Sequence, residues 1–235
     1  ALMRASWFVS SDVSLSVNEG EVFGIVGPNG AGKSTMLRVM DLIEPPTKGE
    51  VLLCGDRMPF TGRKADLARR RIGMVLQKPV VLNRSGANNL AYALAIRGYE
   101  EEEVAERVDA ELLRLGLHDR RKKNARTLSG GEMQRLCFAR ATIHAPKILL
   151  LDEFAANLDP ANVALLESEV KGYMDKDRSR TAVVVTHNMF QAKRMCDRVA
   201  LVWGGEVVEI ADRKDFFENP ADPRTAAFVK GEAVY

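Results

Sequence analysis

Long apolar runs are missing from this sequence: those present, such as Ile148 to Leu151 and Ala182 to Val185, fall far short of the roughly 18 residues a spanning helix needs. No segment is therefore expected to cross a bilayer. The first ten residues lack a charged stretch followed by an apolar core, so no secretory signal is read there. Cysteine is scarce. The three present, Cys54, Cys137 and Cys196, are odd in number, widely spaced and set among apolar neighbours, which is the pattern of reduced core thiols. None has a second Cys or His at ligand spacing, which excludes a metal site built on them. Excess charge of one sign is absent too. The 34 Lys and Arg face 32 Asp and Glu for a net charge of +2, and that balance gives no footprint for nucleic acid or an anionic membrane surface.

What is present is a folded chain of 235 residues, 46% hydrophobic and 28% charged. Short apolar runs alternate with helical patterns. Glu21 to Val26 reads as a strand, Lys33 to Met40 as a helix, and Val51 to Leu53 and Ile72 to Leu76 as strands. From Ser85 to about Leu117 strand signals give way to two amphipathic stretches, the second opening on the acids Glu100 to Glu103, which suit the positive end of a helix dipole. Alternation then returns, with strands at Lys147 to Asp152 and Thr181 to Thr186, and helices at Asn162 to Met174 and Asn188 to Cys196. Buried strands of this kind imply a parallel sheet. Gly204-Gly205, between Ala200 to Trp203 and Glu206 to Ile210, signals a hairpin that adds an antiparallel pair. Gly27 to Ser34, after the first of these strands, fits the phosphate-loop pattern G-x-x-x-x-G-K-[ST], so the expected class is α/β: a P-loop core with a mostly parallel central sheet, an antiparallel β part and an inserted α-helical subdomain. Residues 1–84 and 129–235 form the core in this reading, and residues 85–128 the insertion.

Three motifs carry chemistry. Gly27-Pro28-Asn29-Gly30-Ala31-Gly32-Lys33-Ser34 fits G-x-x-x-x-G-K-[ST] between a strand and a helix start. There the glycines let backbone N–H groups converge on phosphate oxygens, Lys33 reaches the β/γ-phosphates and Ser34 ligates Mg²⁺. The candidate nucleotide contacts run from Asn29 through Gly30, Ala31, Gly32, Lys33 and Ser34 to Thr35. Ile148 to Glu153 is a buried strand ending in two carboxylates, which a parallel sheet would deliver beside that loop. Asp152 is then placed to support Mg²⁺ and Glu153 to polarise an attacking water. Leu128-Ser129-Gly130-Gly131-Glu132-Met133-Gln134-Arg135 opens a helix and makes a second anion-binding N-terminus, a surplus site suited to another nucleotide.

With these residues in place the sequence resembles the ATP-binding cassette of ABC transporters, over essentially the whole chain and through six motifs in the family's order. The resemblance implies that Ser129, Gly130 and Gly131, the family's signature loop at the start of a helix, close on ATP held by the P-loop of a partner subunit. It implies that Gln77 touches Mg²⁺ and links the sheet to the helical subdomain, that Ala156 to Asp159 forms the loop in which Asp159 approaches nucleotide, and that His187 senses the γ-phosphate. His118 and His144 match nothing. One departure concerns adenine, which the family stacks on an aromatic residue upstream of the P-loop. The expected position falls near Arg4, with Trp7 and Phe8 a few residues too close, so an aromatic is lost, Arg4 stacks by its guanidinium plane, or Trp7 substitutes. The preceding N-terminal strand is expected to be shortened.

The resemblance further implies an ATPase working with ATP and Mg²⁺ as a head-to-tail pair with a second cassette, a homodimer, peripheral at the cytoplasmic face of the cell membrane. Its channel lies on separate integral membrane subunits, with a substrate-binding protein as a further partner and no nucleic acid. Import is expected, and the tail resembles those of subunits for oxyanions such as tungstate, molybdate or phosphate. Pro79 to Leu82 reads either as a buried connector or as a patch docking a partner's helix. The alternative is a soluble ABC-type ATPase of DNA repair or translation. The short stretch between Lys33 and Ser129 leaves no room for a long coiled coil, and one cassette stands where translation members carry two. A simple P-loop kinase leaves Ser129 to Gly131 unexplained.

Overall fold

The computed structural model describes residues 3–8 and 12–232, with 3–8 and 12 described by backbone alone. Strands β1 (Met3–Phe8) and β2 (Asp12–Val17) pair antiparallel over six residues, Arg4 opposite Ser16 and Trp7 opposite Val13. A six-residue strand stands where a shortened one is expected. Its partner carried a legible signal, since Val13, Leu15 and Val17 are buried on alternate positions while Ser14 is exposed. β3 (Val22–Val26) runs into α1 (Lys33–Met40). β4 (Val51–Leu53) and β5 (Asp56–Arg57) join the first two strands in a small antiparallel sheet of order β2-β1-β4-β5. Cys54, in the turn between them at φ 57°, is exposed and so is no core thiol, whereas Cys137 and Cys196 are buried.

α2 (Arg63–Arg69), with only Ala65 and Ala68 buried, leads to β6 (Ile72–Val75). α3 (Gly86–Ala95) starts on Ser85, whose hydroxyl accepts from the Asn88 N–H, and α4 (Glu101–Arg114) starts on its run of acids. Two 3₁₀ turns, His118–Arg120 and Ala125–Thr127, bring the chain to α5 (Gly130–Thr142). β7 (Ile148–Asp152), α6 (Pro160–Asp175), β8 (Thr181–Val185) and α7 (Met189–Met195) follow, then the hairpin β9 (Arg198–Trp203) and β10 (Glu206–Asp212), and the short helices α8 (Arg213–Glu218) and α9 (Pro223–Lys230).

The large sheet has the order β10-β9-β3-β8-β7-β6, parallel except for β10. Its strands are covered on both faces, which is why they read as unbroken apolar runs. Ile25, Leu150, Val183, Val185 and Ala200 pack toward α1 and the small sheet. Leu149, Leu151, Ala182, Val184 and Leu201 pack toward Phe138 of α5 and Leu166 and Val170 of α6. A third core joins Leu90 and Leu94 of α3, Val108 and Leu112 of α4, and Leu136 and Ala139 of α5. α5 therefore serves two cores, one under the sheet and one among the helices. Among the described residues no helix is long and apolar enough to cross a membrane.

Candidate active site

The neighbouring parallel strands β3, β8, β7 and β6 end on one side of the sheet, and each delivers one part of a site past its carboxyl end. β3 delivers the loop Gly27 to Gly32. Gly27 lies at φ 149°, and a Cβ there would stand 1.9 Å from the Val202 carbonyl oxygen, so a side chain cannot pass β9 at this point. Gly30 and Gly32, at φ 79° and 95°, turn the loop into α1. Asn29 and Gly30 are exposed, Ala31 is buried and Thr35 is half-buried in the first turn of the helix. Lys33 is only 5% exposed, and its Nζ donates to the carbonyls of Gly27 and Pro28, 2.7 Å each. Burial lowers its pKa while the charges of Glu153 and Asp152 oppose that shift. A cation is thus stored inside the loop on neutral carbonyls.

The Ser34 hydroxyl donates to Asp152 Oδ1 at 3.1 Å. Burial raises the Asp152 pKa, the Ser34 bond pulls it down, and the neighbouring Glu153 charge pushes it up again. A hydroxyl beside a desolvated carboxylate is a donor set suited to a hard divalent cation such as Mg²⁺, which would supply the missing positive charge. Glu153 itself sits at φ 42°, in the left-handed region. Its Oε2 accepts from Gln77 Nε2 at 2.7 Å, and its Oε1 lies 3.1 Å from His187 Nδ1. The carboxylate is 12% exposed and the imidazole 59%, so the acid is inside and the histidine faces out. Both carboxylate oxygens are held by side chains from the ends of different strands.

The start of α5 is built differently. Ser129 and Glu132 form a reciprocal cap: the Ser129 hydroxyl accepts from the Glu132 N–H, and Glu132 Oε2 accepts from the Ser129 N–H at 2.8 Å. Arg120 Nε donates to the other carboxylate oxygen at 2.7 Å. The backbone bond from Ser129, aided by Arg120, holds the Glu132 carboxyl at about 2. Gly130 faces open space, whereas a Cβ on Gly131 would lie 2.7 Å from the Asn162 side chain. Asn162 accepts from Arg135 and donates to Asp159, and Asp159 caps α6 by accepting from the N–H groups of Ala161 and Asn162. Asp159 is thereby committed to its helix.

Gln77, Lys33, Ser34, Asp152, Glu153 and His187 thus converge, while Ser129 to Gly131 and Asp159 share a second neighbourhood through Asn162. Among the described residues no hydrogen bond joins Ser129–Gly131 to Gly27–Thr35. The side chains of Arg4, Trp7 and Phe8, on which adenine stacking was expected, lie outside the described residues. Sequence reading gave no role to Asn162, or to Gln134, whose only signal was its place inside the run Leu128 to Arg135.

A family model described as ABC transporter matches residues 10–156. The chain is 39% identical over 243 residues to the phosphate import ATP-binding protein PstB 2 of Natronomonas pharaonis, covering 97% of this chain and 83% of that one. It is 36% identical to a probable anion import ATP-binding protein of Haloferax volcanii, with the same coverage. It is 40% identical over 222 residues to the methionine import ATP-binding protein MetN of Geobacillus kaustophilus, covering 93% of this chain and 64% of that one. The solved structure of cbiO1 from Clostridium perfringens, part of the ABC transporter complex cbiONQ, superposes with a TM-score of 0.82 at 26% identity, over 93% of this chain and 90% of that one. With the strand-end cluster and the capped signature helix set beside these likenesses, the chain belongs to the ABC transporter family, as one of its ATP-hydrolysing members.

Proposed function

We propose that this chain is the ATP-hydrolysing subunit of an importer and works as a head-to-tail pair with a second copy at the cytoplasmic face of a membrane. Two ATP molecules are held between the P-loop of one copy and Ser129 to Gly131 of the other. The observation that carries this reading is the start of α5, a capped helix N-terminus open at Gly130 that, among the described residues, shares no hydrogen bond with Gly27–Thr35 of its own chain. Residues 1–84 and 129–235 act as the nucleotide-binding core and residues 85–128 as the helical subdomain. The relatives' names support import, and those naming phosphate and anions support an oxyanion cargo. Membrane-spanning subunits are separate polypeptides, and a substrate-binding protein delivers the cargo. Val80, 57% exposed close after Gln77, offers them an apolar contact, while Val81 packs against the helical core.

The residues divide the work. Lys33 brings a fixed cation to the phosphates, and the N–H groups of Asn29 to Thr35 line their path. Ser34 and Asp152, together with Gln77, would hold Mg²⁺, which would supply positive charge to offset what develops on the phosphate oxygens. Glu153 accepts a proton from the attacking water, and Gln77 and His187 keep its two oxygens in register. Hydrolysis per chain, measured against protein concentration, tests the pair. The expected result is a rate that rises with concentration and collapses in Ser129→Arg. A concentration-independent rate with a harmless Ser129→Arg assigns the chemistry to single chains and overturns the reading.

A further inference from the structure

We infer that Gln134 is a positioning residue for Glu153, tying the signature helix to the hydrolytic carboxylate. Gln134 is 2% exposed on α5. Its Nε2 donates to the carbonyl of Leu76 at 3.1 Å and to the carbonyl of Phe154 at 2.6 Å. Leu76 immediately precedes Gln77, and Phe154 immediately follows Glu153. One amide therefore bridges the backbones on which the two bonded side chains, Gln77 and Glu153, are carried. Both neighbours are acceptors, which fixes the orientation of the amide: turned over, it would set oxygen against two carbonyls. Its own Oε1 is buried without a partner among the described residues, so the side chain is held for what it donates.

The backbone of Glu153 explains what this tie does. A non-glycine residue at φ 42° persists only where its surroundings over-determine it. The Glu153 N–H is bound by the Val185 carbonyl at 2.9 Å, and its carbonyl by the Ala156 N–H at 2.8 Å. The next carbonyl, Phe154, is bound by Gln134. Of these three clamps Gln134 alone is a side chain, and it alone comes from the helix that starts at Ser129. A shift of α5, such as a ligand on its N-terminus would bias, moves the clamp on Glu153 and on Gln77 together. The carboxylate is then in register only when α5 is in place.

This inference rests on Glu153 acting as the base, and a double-mutant cycle separates the two. Single-turnover hydrolysis of radiolabelled ATP is measured for wild type, Gln134→Met, Glu153→Gln and the double variant, with nucleotide binding and melting followed in parallel. Met keeps the length of Gln and removes both donors. Gln134→Met is expected to cut kcat about ten- to a hundredfold, the scale of a misplaced catalytic group, with KM for ATP little changed. In the Glu153→Gln background the same substitution is expected to cost nothing further. An equal loss in both backgrounds, a change in KM alone, or no loss overturns the role of Gln134 while leaving Glu153 as base. A fully active Glu153→Gln overturns both. If Gln134→Met does not fold, Gln134→Leu, also apolar and without the donors, replaces it. Failure of both to fold makes the tie purely structural and also overturns the proposal.

Discussion

The loop before α1 and the loop before α5 both present backbone N–H groups at a helix start, yet they are finished in opposite ways. Around Lys33 charge is buried and incompletely matched: a lysine on carbonyls, a carboxylate raised by burial, and a second carboxylate at a strained backbone. Around Ser129 the Glu132 charge is settled locally, by its own cap and by Arg120, and Gly130 faces open space. Unmatched buried charge is costly and is retained where a ligand or reaction supplies the complement. A neutralised, exposed cap supplies shape and N–H dipoles without competing for a cation. One loop is therefore equipped for chemistry and the other for recognition.

The sharpest way to break this contrast is Glu153→Gln. The amide keeps the size of the side chain and loses the base, so turnover is expected to fall at least about a hundredfold. Binding of Mg-ATP, followed by fluorescence of a labelled nucleotide, should persist, because Lys33, Ser34 and Asp152 are untouched. Near-normal turnover would remove the chemical half of the comparison.

How much of this was legible in the sequence differs between the two loops in the same physical way. Gly27 to Ser34 and Ile148 to Glu153 were readable because a buried parallel strand forces a continuous apolar run, and its end forces the site. The bonds from Gln77 and His187 to Glu153 join β6, β7 and β8 across long sequence separations, so no local pattern announces them, and only the resemblance placed those residues. Gln134, Arg135 and Asn162 were missed because their contacts depend on how α5 meets α6 and the chain past the ends of β6 and β7. The small antiparallel sheet was seen in part: β4 was read, β2 was missed although its apolar alternation is present, and two-residue β5 is too short to carry a period. Exposed Cys54 shows where apolar neighbours mislead, since a positive φ in a turn lifts the thiol out of the core.

A smaller effect separates function from stability in the first loop. Asp152 is raised in pKa by burial, so the folded protein holds that proton more tightly than the unfolded chain does. Above the ordinary value of 3.8 stability falls as pH rises through the folded pKa, and at neutral pH the ionised carboxylate is a cost. Asp152→Asn, which still accepts from Ser34, is expected to melt higher than wild type without nucleotide, while Mg²⁺-dependent hydrolysis is lost. The Ser34 bond and the Arg38 and Lys33 charges offset part of the burial and keep the cost to about 1 kcal/mol, so the rise is under about 4 °C. A lower melting temperature would show that the carboxylate is already compensated within the chain.

The smallest effect belongs to the second loop and has the opposite sign. Glu132 is held at about 2 against an ordinary 4.5 by the Ser129 N–H and Arg120, so its charge stabilises the folded state above pH 4.5, and that contribution is lost as pH falls toward 2. Glutamine at this position can still cap the helix, which makes Glu132→Gln a change of charge more than of shape. The melting temperatures of wild type and Glu132→Gln should differ modestly at neutral pH, by less than the equivalent of about 1 kcal/mol for an exposed group. The gap should close as both are titrated from pH 4.5 down to about 2. A gap that stays constant over that range would mean that the carboxylate is not settled by its cap, and that the signature loop, like the P-loop, keeps charge in reserve for a ligand.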